Sequence, residues 1–263
     1  MSNLNNKFRF SVSTGAVKLL PFNEVIKSFH ANQLKSFAFN ITPIINGSLD
    51  IDEAKSLIKD FNMHCSIIEG GWCNFINDDE FKKKTIDSIA KQVSVARHLN
   101  VKKVRLFFGV DMGEISERKI NDCSNNILKI CNDYRDIEFC FENEKGLSSN
   151  LNFLNSIVKK VSIDNFGLNF DTVNFELNDV DPLIAYKNLK KKIAHFHVKG
   201  KYRNMLIEYG SGDSRVDDII RLALKDNEIL SVSIEYEGPK DRLKTLIIST
   251  HLFQERITNG FFI

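Results

Sequence analysis

The chain has 263 residues, 43% hydrophobic and 27% charged, which is long enough for one large core and ordinary for a soluble globular protein. A net charge of +2 argues on bulk charge against a nucleic-acid binder or a membrane-surface protein, and no apolar run approaches bilayer length. The five cysteines form no C-x-x-C pair and are odd in number, so reduced thiols and a cytoplasmic location are expected. The opening Met1-Ser2-Asn3-Leu4-Asn5-Asn6-Lys7 has no hydrophobic signal core, which agrees with that expectation.

Strand and helix patterns alternate along the whole chain. Phe8 to Ser13 reads as a strand and Pro21 to Ala31 as a helix, with Val25, Ile26 and Phe29 at helical spacing and Pro in the first turn. Leu34–Ile41 (strand), Asp52–Phe61 (helix) and His64–Glu69 (strand) follow. The loop Gly70-Gly71-Trp72-Cys73-Asn74-Phe75 leads into a long helix predicted from Asp79 to Leu99. Val101–Phe108 is a strand and Ser116–Tyr134 a helix. Then come Ile137–Glu142 (strand), Ser149–Val161 (helix), Phe166–Asp171 (strand), Pro182–Lys191 (helix) and Ile193–Lys199 (strand). A loop with Gly210-Ser211-Gly212 precedes a helix from Asp213 to Leu224. The last strand is Leu230–Glu235, and a closing helix begins near Pro239 and ends before Thr258.

Eight strands alternating with eight helices imply parallel strands joined by helical crossovers. Eight units in this length fit a single (β/α)8 TIM barrel, an α/β fold of roughly 250 residues. An open doubly wound sheet would bury its central strands on both faces and show unbroken apolar runs. These strands instead place Ser, Asn, Cys, Arg and Glu on one parity, as a barrel with a polar mouth would. No Pro- or Gly-rich linker divides the chain, so 1–263 is expected to be one domain.

Four late strands share a further pattern. Phe139 and Phe141 alternate with Glu138, Cys140 and Glu142; Leu168 and Phe170 alternate with Asn169 and Asp171; Phe196 and Val198 alternate with His195, His197 and Lys199; Val232 and Ile234 alternate with Ser231, Ser233 and Glu235. In neighbouring parallel strands, Glu142, Asp171, His197 and Glu235 would converge at the carboxyl ends, where such barrels carry their active sites. Singly, each could be a helix cap, a loop ion pair or a core histidine. Together, three hard oxygen donors and one imidazole suit one divalent ion, with Mn²⁺, Co²⁺ or Mg²⁺ favoured and Zn²⁺ also compatible. A closed structural zinc site would normally use thiolates, which this set lacks. His30, His64, His98 and His251 show no ligand spacing.

The motifs Phe141-Glu142-Asn143, Leu168-Asn169-Phe170-Asp171-Thr172-Val173-Asn174, His195-Phe196-His197-Val198-Lys199 and Ile234-Glu235-Tyr236, in this order, resemble those of the xylose-isomerase-like barrel superfamily of sugar isomerases and epimerases. Gly210-Ser211-Gly212-Asp213 resembles the Gly-x-Gly-Asp run that often follows the His strand there. The resemblance implies that Glu142, Asp171, His197 and Glu235 hold the metal and that Glu142 and Glu235 are also the catalytic acid/base pair. It implies an enzyme acting on a small carbohydrate or polyol. The sequence is silent on oligomeric state, though barrels of this class commonly pair. Arg203, six residues after His197, stands at the spacing of a substrate-binding arginine in epimerase-like members, and could equally be a surface loop residue.

From parity, Lys199 and Arg105 point inward, toward substrate or toward carboxylate partners; for Arg105 the candidates are Glu142 or a substrate anion. Trp72 and Phe75 could form an apolar wall against a sugar, or simply pack. Asn174 stands where many relatives have a second histidine and Gly200 where many have Asp, and strand two ends Phe39-Asn40-Ile41 without the Glu common there. Asn174 can still bond a hydroxyl, so a changed substrate is expected rather than a lost metal. Gly210-Ser211-Gly212 reads first as a turn with Asp213 as N-cap, and second as a phosphate site.

The expected function is a metal-dependent isomerase or epimerase of a small ketose, a keto-polyol or a phosphate ester of one, working through an enediolate. The alternative on the same site is a dehydratase of a keto-cyclitol or dehydroshikimate-like substrate. A non-catalytic sugar- or protein-binding barrel ranks lower. An apurinic-site endonuclease would need many more His and Asp ligands than six histidines, most of them unplaced, supply.

Overall fold

The computed structural model describes residues 7–226 and 229–262. Residues 1–6 of the opening stretch read above for a signal lie outside the described residues. The elements run β1 (Phe8–Ser13), α1 (Phe22–Ala31), β2 (Ser36–Asn40), α2 (Thr42–Ile45), α3 (Ile51–Asp60), β3 (His64–Glu69), α4 (Asp78–Glu80), α5 (Ile86–His98), β4 (Lys103–Phe107) and α6 (Glu117–Asp133). They continue with β5 (Glu138–Glu142), α7 (Leu151–Lys160), β6 (Phe166–Asp171), α8 (Thr172–Leu177), α9 (Pro182–Leu189), β7 (Ile193–Val198), β8 (Gly200–Tyr202), β9 (Met205–Ile207), α10 (Val216–Asp226), β10 (Leu230–Ile234) and α11 (Arg242–Thr258).

Eight strands close into one barrel in the order β1-β10-β7-β6-β5-β4-β3-β2, the (β/α)8 architecture expected from the alternation. The pairing is parallel, with β1 running beside β10 from Phe8↔Leu230 to Val12↔Ile234 and β5 beside β4 from Lys103↔Glu138 to Phe107↔Glu142. By contacts the chain gathers into two compact units, residues 1–66 with 196–263 and residues 67–195.

The parity argument holds within each unit. In the first, Phe8 and Phe10 pack on Phe253 of α11 at ring separations of 5.6 and 6.4 Å, and Phe37 and Phe39 pack on Phe22 of α1 at 6.0 and 5.0 Å. In the second, Phe141 packs against Phe75, Phe108 and Phe166 at 4.9, 5.2 and 5.5 Å. Such ring pairs add about 0.5–1.5 kcal/mol each beyond the area they bury. The other parity carries buried polar groups, among them Ser11, Arg105, Glu142, Asn169, His197 and Ser233; the Ser11 and Ser233 hydroxyls meet at 2.8 Å.

Most boundaries differ from the sequence expectation by one or two residues, and caps explain several. The Ser116 hydroxyl accepts the Lys119 N–H, so α6 starts at Glu117. The Asn150 side chain accepts from Asn152 and Phe153 N–H, which starts α7 two residues after Ser149. Pro21 precedes α1 as its cap residue instead of lying in its first turn. The long helix expected from Asp79 contains a π-helical turn, Phe81–Thr85. There the buried Thr85 hydroxyl accepts the Asn74 N–H at 2.8 Å and ties the preceding loop to the helix.

Further elements were not expected. Short helices follow two strands, α2 after β2 and α8 directly after β6. The antiparallel hairpin β8–β9 follows β7, pairing Gly200↔Ile207 and Tyr202↔Met205. Two glycines allow it. A Cβ on Gly200 would lie 2.1 Å from the Glu208 carbonyl oxygen, and one on Gly212 would lie 2.0 Å from that of Lys201. Gly212 also has φ +87, which favours a residue without Cβ. Asp213 is not the cap of α10, which begins at Val216. Its carboxylate instead accepts the Arg203 N–H and pairs with Lys201 at 3.1 Å, closing the hairpin.

Candidate metal centre

The four residues expected to converge do so. Glu142 ends β5, Asp171 ends β6, His197 lies one residue before the end of β7, and Glu235 directly follows β10. All four are buried, and one ligand atom from each lies within 4.8 Å of the others. Ligands around a single divalent ion at its usual bond lengths stand about 3–4.5 Å apart. The spacing and the donor set therefore fit one ion. None of the five cysteines belongs to the group, and all five are buried and outside any disulfide.

Local structure holds each ligand in place. The Asn143 side chain bridges the ends of β5 and β6: its Nδ2 donates to the Asp171 carbonyl at 2.9 Å, and its Oδ1 accepts the Asp171 N–H at 2.8 Å. Asp171 Oδ1 accepts the Asn174 N–H at 2.8 Å and so caps α8. Asp171 is thus both a helix cap and a member of the metal group, where the sequence offered these as alternatives. His197 Nδ1 lies 3.3 Å from Glu235 Oε2.

Arg105 is buried at 4% exposure, with its guanidinium 3.2 Å from Glu142 and 3.8 Å from Glu69. It also stacks on Phe107 at 4.1 Å. Lys199, at 2% exposure, lies 3.2 Å from Glu235 and 2.5 Å from Glu237. Each basic side chain thus braces one of the two glutamates expected to move protons. Asn174 gives its Nδ2 to the Asn143 carbonyl at 2.9 Å. Trp72 is half exposed in the loop after β3, with the Lys84 ammonium 5.5 Å over its ring. Arg203 is exposed on the hairpin turn, with its guanidinium 5.3 Å over Tyr202. Phe75 belongs to the core: it is fully buried against Phe81 and Phe141, because its backbone N–H is drawn to the Phe108 carbonyl at 2.7 Å. His30 and His251 contact the backbone carbonyls of Phe61 and Asn32.

Sequence reasoning passed over Glu69 and Glu237. Glu69 ends β3 in the position that Glu142 holds on β5, so the signal that found the metal group was present there as well.

The chain matches the family described as xylose isomerase-like TIM barrel over residues 24–252 and belongs to it. No curated protein matches this sequence. Among solved structures, the probable 3-DHS dehydratase AsbF of Bacillus anthracis is similar with a TM-score of 0.77 and 17% identity, covering 94% of this chain and 99% of that one. The 3-keto-D-glucoside 4-epimerase YcjR of E. coli gives 0.77 and 14%, covering 95% and 100%. A xylose isomerase-like barrel protein of Mycobacterium smegmatis, solved with magnesium, gives 0.78 and 14%, covering 98% and 99%. At these identities the likeness is one of fold.

Proposed function

We propose that this chain is a single-domain, divalent-metal-dependent isomerase or epimerase acting on a small ketose, a keto-polyol or an ester of one. The observation that carries the reading is the buried group Glu142, Asp171, His197 and Glu235, with ligand atoms inside 4.8 Å. Nothing in barrel packing calls for three carboxylates buried at one rim, since buried charges are costly without a partner or a metal. When bound, the ion would polarise the substrate carbonyl and offset the charge of the enediolate. Mn²⁺, Co²⁺ or Mg²⁺ suits the oxygen-rich set best, and Zn²⁺ is compatible.

Glu142 and Glu235 are the proposed acid/base pair. Moving a proton next to a carbonyl needs a base at one carbon and an acid at the neighbouring oxygen or carbon. Arg105 stands 3.2 Å from Oε2 of Glu142 and Lys199 stands 3.2 Å from Oε2 of Glu235, so each glutamate of the pair has a cation beside it. Trp72 and Arg203, exposed on loops after strands, are the proposed sugar contacts, and Asn174 adds its side-chain carbonyl. The buried cysteines, none of them in a disulfide, support a reducing, cytoplasmic setting. Among the described residues no helix is long and apolar enough to cross a membrane.

The test is solvent exchange. Incubated with Mn²⁺ or Co²⁺ and a panel of ketoses in D₂O, the protein should wash deuterium into the carbon beside a carbonyl, and Glu142→Gln should abolish this. A panel without any exchange counts against the isomerase reading. An aromatic ultraviolet band arising from 3-dehydroshikimate would mark a dehydratase on the same groups, a chemistry borne by the name of the AsbF neighbour.

A further inference from the structure

The proposed site leaves its substrate class open between neutral sugars, sugar phosphates and carboxylates. The charges around it distinguish these. Resting on the metal-dependent reading above, we infer that the site takes an uncharged polyhydroxy ketone and discriminates against phosphate esters and carboxylates, with Glu69 and Glu237 as the residues that set this preference.

Among the described residues, Arg105 and Lys199 are the only arginine or lysine side chains in the buried class. Both touch members of the metal group, and both are engaged by two carboxylates: Arg105 by Glu142 and Glu69, Lys199 by Glu235 and Glu237. Bracing Glu142 and Glu235 would need only one contact from each base. The second carboxylate adds a negative charge beyond the one that each cation offsets. Glu69, with no exposure, is far from any solvent that could otherwise explain a charged residue there. In the metal group and its ion-pair partners, five carboxylates meet two cations, Arg105 and Lys199, and a divalent ion leaves that set net negative; the exposed Arg203 lies outside these pairs. A substrate anion would enter against that field, whereas hydroxyl groups can donate to carboxylate oxygens.

The loop position where barrels often hold phosphate points the same way. Gly210, Ser211 and Gly212 line a cavity of about 130 Å³ with Lys199, Asp217 and Arg256. Asp217 already provides the anion there: its carboxylate accepts the Tyr209 hydroxyl at 2.5 Å and pairs with Arg256. A phosphate would have to displace it.

The experiment is calorimetric titration of the Mn²⁺-loaded protein, with metal content measured on the same samples. The probes are D-fructose, D-tagatose and D-psicose as neutral ketoses, D-fructose 6-phosphate as the charged counterpart of the first, and 3-dehydroshikimate as the carboxylate. The parent should bind at least one neutral ketose more tightly than either anion. Glu69→Gln, which removes one negative charge from beside Arg105, should raise anion affinity by about tenfold. Neutral ligands should change much less. Glu237→Gln, at a half-exposed position, should shift the preference in the same direction. A metal-loaded parent that prefers an anion, or two variants that leave the preference unmoved, overturns the inference and leaves the metal-dependent function standing. A parent that takes up no metal and no ligand overturns both.

Discussion

At the scale of single residues, the site depends on Arg105. Its guanidinium stands between Glu69 and Glu142, and all three side chains are buried. Removing the cation would leave two buried carboxylates without the charge that pairs them. Breaking a buried ion pair by removing one partner costs about 3–5 kcal/mol. Arg105→Ala should therefore lose stability on that scale in urea unfolding. Arg105→Lys, which keeps the charge but not the planar fork, should lose less. Equal stability of parent and Arg105→Ala would mean that the triad is not a bonded unit. From sequence, inward parity and an acidic partner for Arg105 could be expected; the second carboxylate, Glu69, carried the same strand-end signal as Glu142 and was passed over.

At the scale of elements, alternation was the legible signal. Strands β1, β3 and β6 fall on the expected residues, because a run such as Phe166-Gly167-Leu168-Asn169-Phe170-Asp171 has period two and no competing helical period. The four metal-group residues were legible for the same reason: each sits at the end of a strand whose parity is plain. Elements that depend on contacts rather than on period were not legible. The hairpin β8–β9 has strands of only three residues each and is held by Asp213 accepting from Arg203 and pairing with Lys201, contacts ten and twelve residues apart in sequence. The π-helical turn Phe81–Thr85 places the Thr85 hydroxyl to accept the Asn74 N–H, a contact that no periodicity encodes. Phe75 looked like a loop residue free to face a sugar, and packing against Phe141 claimed it for the core.

At the scale of the whole molecule, the core carries a latent pH dependence. Burial raises the Cys73 thiol to about 11 and the Cys131 and Cys140 thiols to about 12, and raises Cys123 further. Burial, with Asp217 beside it, also lifts the Tyr209 hydroxyl above the usual tyrosine range. A raised folded-state pKa on an acid that is neutral when protonated favours the fold below the unfolded-chain value, near 9 for a thiol. That contribution is drawn down as pH rises toward 11–12. The melting temperature should thus hold up to about pH 9 and fall steeply beyond it. Cys140→Ala, which removes one such thiol, should soften the alkaline fall, and a flat profile to pH 11 would contradict the account.

The central claim is that Glu142, Asp171, His197 and Glu235 hold one divalent ion. It is tested most directly by elemental analysis of the purified protein, before and after dialysis against Mn²⁺, beside a His197→Ala variant shown by circular dichroism to be folded. The account predicts close to one ion per chain in the parent and its loss in the variant. A parent that stays empty after metal is supplied, or a folded His197→Ala that binds metal as well as the parent does, would contradict it.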